Sequence, residues 1–224
     1  MDRRRHPNAA ITPSPPTSPS STTCQREPEI AARHRIKPLR QGELDFLCGL
    51  YAPINALRLA LADRAPLSSK AYKALFAEGV RYLDRKDGLH QSLTWGMDLR
   101  RRYALACHLA ERSSDENISV SIERADYQNW RSIDDAFVWI EQSLAANQPV
   151  LVYFAEMPDH YTVIAGSTST RLQLFDSAGT GFVFKASCGL RSGTHIIQPN
   201  GLLRIVAKPS GPLTLPAAWK GPLA

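Results

Sequence analysis

The 224-residue sequence predicts an α+β domain, helices first and antiparallel strands afterwards. Three observations carry that expectation. Up to about residue 146 the apolar residues recur mostly at helical spacing. After Gln148-Pro149 they switch to alternation and to short continuous runs. A hydrophobic content of 43% is enough for a core in one domain of ordinary size.

The first helix is expected over 48–62, where Tyr51, Ile54, Leu57 and Leu61 share a face and Pro53 falls early enough to be tolerated. A second, over 69–85, follows Ser68 and Ser69 as N-caps and aligns Tyr72, Leu75, Phe76, Val80 and Leu83. A third is expected over 92–111, from Ser92 through Trp95, Leu99 and Leu105 or Cys107. Residues 118–122 alternate as a strand, and a further helix spans 132–146 from Ser132 through Phe137, Ile140 and Leu144. Strands are expected over 150–155, 160–166, 171–176 and 202–207, with shorter ones over 194–197 and 181–185. Trp95, Trp130 and Trp139 read as core or edge aromatics, and no internal repeat is present.

This pattern places the domain at 39–208 between two tails. Residues 1–38 form a basic, Pro/Ser/Thr-rich segment with too little apolar surface to fold, and 209–224 form a Pro-rich C-terminal tail. Residues 1–40 carry eight Lys/Arg against three acids, and so hold five of the six net positive charges. The rest of the chain is near neutral, so no nucleic-acid partner is expected. Four scattered cysteines without a CxxC or paired histidines predict neither a structural metal nor a disulfide framework. No apolar run reaches the ~20 residues that cross a bilayer, and nothing apolar follows the basic N-terminus as in a secretory signal. A cytoplasmic protein with reduced thiols is the default expectation; the tail composition also suits an effector exported by a specialised system. The oligomeric state is not legible.

Two distant stretches carry chemistry. Gln41-Gly-Glu-Leu-Asp-Phe-Leu-Cys48-Gly sets a glutamine seven residues before a cysteine that opens a helix. There the unpaired N–H groups and the helix dipole favour a thiolate, the nucleophilic form. Asp159-His160-Tyr-Thr-Val and Asp176 set a histidine and a carboxylate on successive expected strands. If residues 167–169 form a three-residue hairpin loop, His160 stands directly opposite Asp176, their Cβ atoms about 4.5–5.5 Å apart. A slip of two residues leaves them diagonal and within reach, whereas a slip of one sends them to opposite faces. Thiol, imidazole, carboxylate and amide are the parts of cysteine-based acyl transfer: Cys48 as nucleophile, His160 as general base, Asp176 orienting it, Gln41 donating to the oxyanion.

Other residues read more plainly. Cys24 lies in the tail, Cys107 on an apolar helical face and Cys188 in a Gly/Ser loop. His195 is the competing base but lacks a carboxylate at hairpin spacing. Asn55, two turns past Cys48, is expected to brace the helix, and Asp45, Asp159 and Tyr161 to flank the site in structural roles.

As a set, Gln41…Cys48-Gly, His160-Tyr-Thr-Val and Asp176 resemble the papain-like cysteine peptidase clan, closest to the C39-like double-glycine leader peptidases. The resemblance implies a nucleophile helix packed on a C-terminal antiparallel sheet, the same four residue roles, a peptide or protein substrate, and no metal or organic cofactor. Two departures stand out. Ser177 follows Asp176 where that family usually has a proline, and the transporter membrane domain commonly fused to it is missing from this sequence. Glutamine deamidation, transglutamination and other acyl transfers use the same chemistry, and a non-catalytic papain-like binding module is the reading from outside enzymology.

Overall fold

Local signals set most of the helical boundaries in the structure, a computed structural model that describes residues 27–42, 45–86, 88–156 and 159–210. Helix α1 (Cys48–Leu61) is buried on nearly every side, Pro53 included, as its almost uniformly apolar sequence requires. Helix α2 (Ser69–Arg85) starts where the Ser68 hydroxyl accepts from the Ala71 N–H. The single helix expected over 92–111 is instead two, α3 (Leu89–Thr94) and α4 (Leu99–Arg112). The break has two local causes: Gly96 adopts φ +80, which a helix cannot continue, and the Asp98 carboxylate caps the new helix by accepting from the Arg101 N–H at 2.8 Å. Helix α5 (Ile133–Ala145) opens on a capping box in which Ser132 and Asp135 satisfy each other's backbone N–H groups.

The strands are β1 (Ile118–Arg124), β2 (Val150–Glu156), β3 (His160–Ser167), β4 (Arg171–Leu174), β5 (Phe182–Phe184), β6 (Cys188–Gly189), β7 (His195–Ile197) and β8 (Leu203–Pro209). They form one sheet in the order β1-β8-β2-β3-β4-β5, with β7 joining β2 and the short β6. All pairings are antiparallel except β6 with β7. The architecture is therefore α+β. Strand β3 is buried along its whole length, so both of its faces are covered, and α1 and α5 both pack against it. Among the described residues, no helix is long and apolar enough to cross a membrane, and no group of three or more His, Cys, Asp or Glu could hold a metal ion.

The boundaries of the tails need correction. Residues 1–26 and 211–224 lie outside the described residues, but 27–38 pack on the domain. Ile30 and Ala32 are fully buried. The Ile30 N–H donates to the Ala165 carbonyl at 2.8 Å and the Ser167 N–H to the Pro28 carbonyl at 2.9 Å, so this stretch runs as an extra edge beside the end of β3. Burying Ile30 and pairing its backbone offset the ordering of a segment that composition alone marks as unfolded. At the other end β8 extends to Pro209, and the Ser210 N–H still donates to Asn117.

Candidate functional site

The site begins at the N-terminus of α1. Asp45 fixes the approach to it: one carboxylate oxygen accepts from the Gly42 N–H at 2.9 Å and the other from the Leu47 N–H at 3.1 Å. Asp45 thus braces the loop that enters the helix, the structural role expected of it. Cys48 is the first residue of the helix, buried at 7% exposure, with its sulfur 4.0 Å from the Phe46 carbonyl.

His160 opens β3 beside this entrance, and its side chain lies close enough to the Cys48 thiol for each group to shift the other's pKa. On the other side its Nε2 is 2.5 Å from Asp176 Oδ1, which leaves Nδ1 as the ring nitrogen for the sulfur. The thiol, imidazole and carboxylate singled out in the sequence therefore lie in one line.

The route to that alignment differs from the expected one. The β3–β4 loop is 168–170, closed by the Thr168 N–H donating to the Arg171 carbonyl, not 167–169. Near the loop Gly166 pairs with Gln173 and Ser167 with Leu172, a parity that, if continued, would send His160 and Asp176 to opposite faces. A bulge between Ile164 and Gly166 restores the parity: Ile164 pairs with Leu174, and the Phe175 N–H donates to Val163. Asp176 then stands level with Thr162 and diagonal to His160. It also lies beyond β4, which ends at Leu174, so a turn carries the carboxylate and not a strand.

That turn is built around the acid. Oδ2 of Asp176 accepts from the N–H groups of Ala178, Gly179 and Thr180 at 3.1, 2.8 and 3.0 Å. Gly179 has φ +106, and a methyl group there would run into the Arg40 guanidinium, so both backbone and space call for glycine. Burial opposes the charge on Asp176, but the His160 hydrogen bond, the imidazolium charge and the backbone N–H groups outweigh it and hold its pKa below the ordinary range.

The same balance applies along the line. Burial works against the imidazolium of His160, yet hydrogen bonds and charges from Asp176 and Cys48 raise its pKa to about 9. Burial also works against the Cys48 thiolate, and the His160 hydrogen bond, the Tyr161 backbone N–H and the charges of His160 and Arg102 together lower its pKa. The pair thus favours thiolate and imidazolium over thiol and imidazole.

Gln41 lies beside this line. Its Oε1 accepts from the Ser177 hydroxyl at 3.0 Å, and its backbone N–H donates to the Ser177 carbonyl at 3.2 Å. The amide Nε2 makes only a long, 3.5 Å bond to the Asp45 carbonyl and is readily redirected. Asn55 does brace the helix: fully buried, it exchanges hydrogen bonds of 2.8 and 3.1 Å with the backbone of Leu39, pinning the stretch that leads into Gln41.

The alternatives lie elsewhere. His195 is on β7, tilted against the Phe154 ring. Burial raises the Cys107 and Cys188 thiols, the latter to about 11, and Cys24 lies outside the described residues. Trp95 is exposed, while Trp130 and Trp139 pack on the core edge.

Two contributors escaped the sequence reading. Ser177 was noted only as a departure from a family pattern. Arg102 follows two other arginines, yet it alone is buried, at 4% exposure. Its guanidinium stacks 4.1 Å from the Tyr153 ring centre and 5.1 Å from that of Tyr161. Among the described residues its Nε and Nη1 have no hydrogen-bond partner, and its one carboxylate partner is the exposed Asp159 at 4.0 Å. Asp159 and the buried Tyr161 flank the site as expected. No protein-family model matches the chain, and neither does any curated protein sequence.

Proposed function

We propose that this chain is a papain-like cysteine peptidase, similar in design to the C39-like enzymes, that cleaves a peptide or isopeptide bond through a thioester intermediate. The supporting observation is the continuous line Cys48–His160–Asp176 at the entrance of a helix, with the Gln41 amide beside it. The Cys48 thiolate attacks the substrate carbonyl and forms a C–S bond. The resulting oxyanion takes hydrogen bonds from the Cys48 N–H, which has no carbonyl partner within the helix, and from Gln41 Nε2. As the C–N bond breaks, His160 Nδ1 gives its proton to the departing amine. His160 then accepts a proton from water, whose oxygen attacks the thioester; the C–S bond breaks, releasing the acid and restoring the thiolate–imidazolium pair. Asp176 keeps the imidazole turned toward the sulfur throughout.

The test is acylation by a p-nitrophenyl ester. The wild type should release a burst of nitrophenolate and carry the acyl group on Cys48, seen by mass spectrometry, and Cys48→Ala should do neither. Equal behaviour of the two proteins would overturn the proposal. Peptide substrates analysed in parallel separate backbone cleavage from conversion of glutamine to glutamate in an intact chain.

A further inference from the structure

A cavity of about 480 Å³ opens next to the acylation site, between the stretch entering α1 and the turn after β4. Its walls are Arg40, Gln41, Gly42, Ser177 and Ala178, so it adjoins both the amide that would face the oxyanion and the residue following Asp176. An apolar substrate group would gain little in it, because its walls are one cation, an amide, a hydroxyl and small backbone-rich residues.

The cation is the informative member. Arg40 rests its guanidinium on Gly179, in space that any side chain at that position would take. Among the described residues it forms no hydrogen bond or ion pair. The nearby carboxylates are already occupied: Asp45 by the Gly42 and Leu47 N–H groups, Asp176 by His160 and three backbone N–H groups. The side chain is exposed and rests against Gly179, so its guanidinium is unspent. A planar fork of donors at the edge of a polar cavity matches a carboxylate, to which arginine can bond through two parallel N–H groups.

We propose that this cavity is a recognition subsite for a substrate carboxylate lying next to the attacked acyl group, with Arg40 as the residue that selects it. The proposal rests on the acyl-transfer reading of the site and adds to it a substrate class, acidic peptides. The carboxylate can come from an Asp or Glu side chain or from a chain end.

Three probes with one reactive group test it: bromoacetyl-Glu amide, bromoacetyl-Gln amide, and bromoacetyl-Gln with a free terminal carboxylate. The rate of Cys48 alkylation by each is followed by mass spectrometry at fixed pH and salt. In the wild type an anionic probe should outpace its neutral isostere roughly fivefold or more. The side-chain and terminal arms identify which carboxylate is read. Arg40→Gln should bring the anionic-to-neutral ratio to near one, and Arg40→Lys should keep part of it. A ratio near one in the wild type, or an undiminished ratio in Arg40→Gln, overturns the subsite while leaving the acyl-transfer reading intact. If no probe modifies Cys48 faster than a free thiol in solution, the acyl-transfer reading falls, and this subsite falls with it.

Discussion

Asp176→Asn is the most informative single change, because the carboxylate is asked to accept from four donors and an amide offers only one oxygen. Oδ1 faces His160 Nε2 at 2.5 Å and Oδ2 faces three backbone N–H groups. If the new NH₂ faces the ring, Nε2 must become an acceptor and the ring proton moves to Nδ1, pointing at the sulfur it is meant to serve. If the NH₂ faces the turn, three N–H donors meet a donor, at about 1–3 kcal/mol for each group left unsatisfied. Burial disfavours the His160 imidazolium, and Asp176 is first among the interactions that reverse this, taking the pKa from 6.5 to about 9. That rise corresponds to about 3 kcal/mol. It stabilises the fold fully below pH 6.5 and is lost as pH climbs through 9. Because Cys48 supplies part of it, the share of Asp176 is about 2 kcal/mol, or about thirtyfold in the thiolate–imidazolium population. The assay is the rate of Cys48 alkylation by iodoacetamide across pH 4 to 10, with near-ultraviolet circular dichroism to establish folding. At pH 6 to 7 the variant should react about thirtyfold more slowly, its rise displaced toward the ordinary thiol range of about 8.5. A folded variant whose profile superimposes on the wild type would refute the reasoning.

Two further outcomes are expected. Ser177→Ala removes the donor that fixes the Gln41 amide. Acylation by a p-nitrophenyl ester should slow about tenfold, while iodoacetamide alkylation, which forms no oxyanion, stays unchanged; Ser177→Thr should restore the rate. Arg102→Met removes a buried cation with two unsatisfied N–H groups. Thermal stability should hold or rise, while the Cys48 alkylation profile moves to higher pH. A shift in the opposite direction would contradict the electrostatic role.

How much of this was legible in the chain follows from the range of each signal. Ser68, Ser132 and the apolar spacing of α1 and α5 act within a few residues, so those helices are readable. Gly96 and Asp98 carried the signal for the break between α3 and α4, but the apolar spacing across them masked it. The placement of Cys48 and His160 was readable because helix entrances and strand starts have local signatures. The shifted loop and the bulge near Ala165 left no such trace, and together they moved the carboxylate from directly opposite the histidine to diagonal. Ser177 with Gln41 and Asn55 with Leu39 are pairings across tertiary space, invisible to periodicity. Arg102 reads as one more solvated arginine until the two tyrosine rings close over it.

The stretch from Pro28 to Gln41 is anchored at both ends. Its start is bonded to Ala165 and Ser167, its finish to Asn55 and Ser177. It works as a guy-line across the domain, tying the edge beside β3 to the Gln41 amide. A fragment trimmed to begin after residue 38 would keep Gln41, Cys48, His160 and Asp176 and still lose the rigging that holds one of them taut.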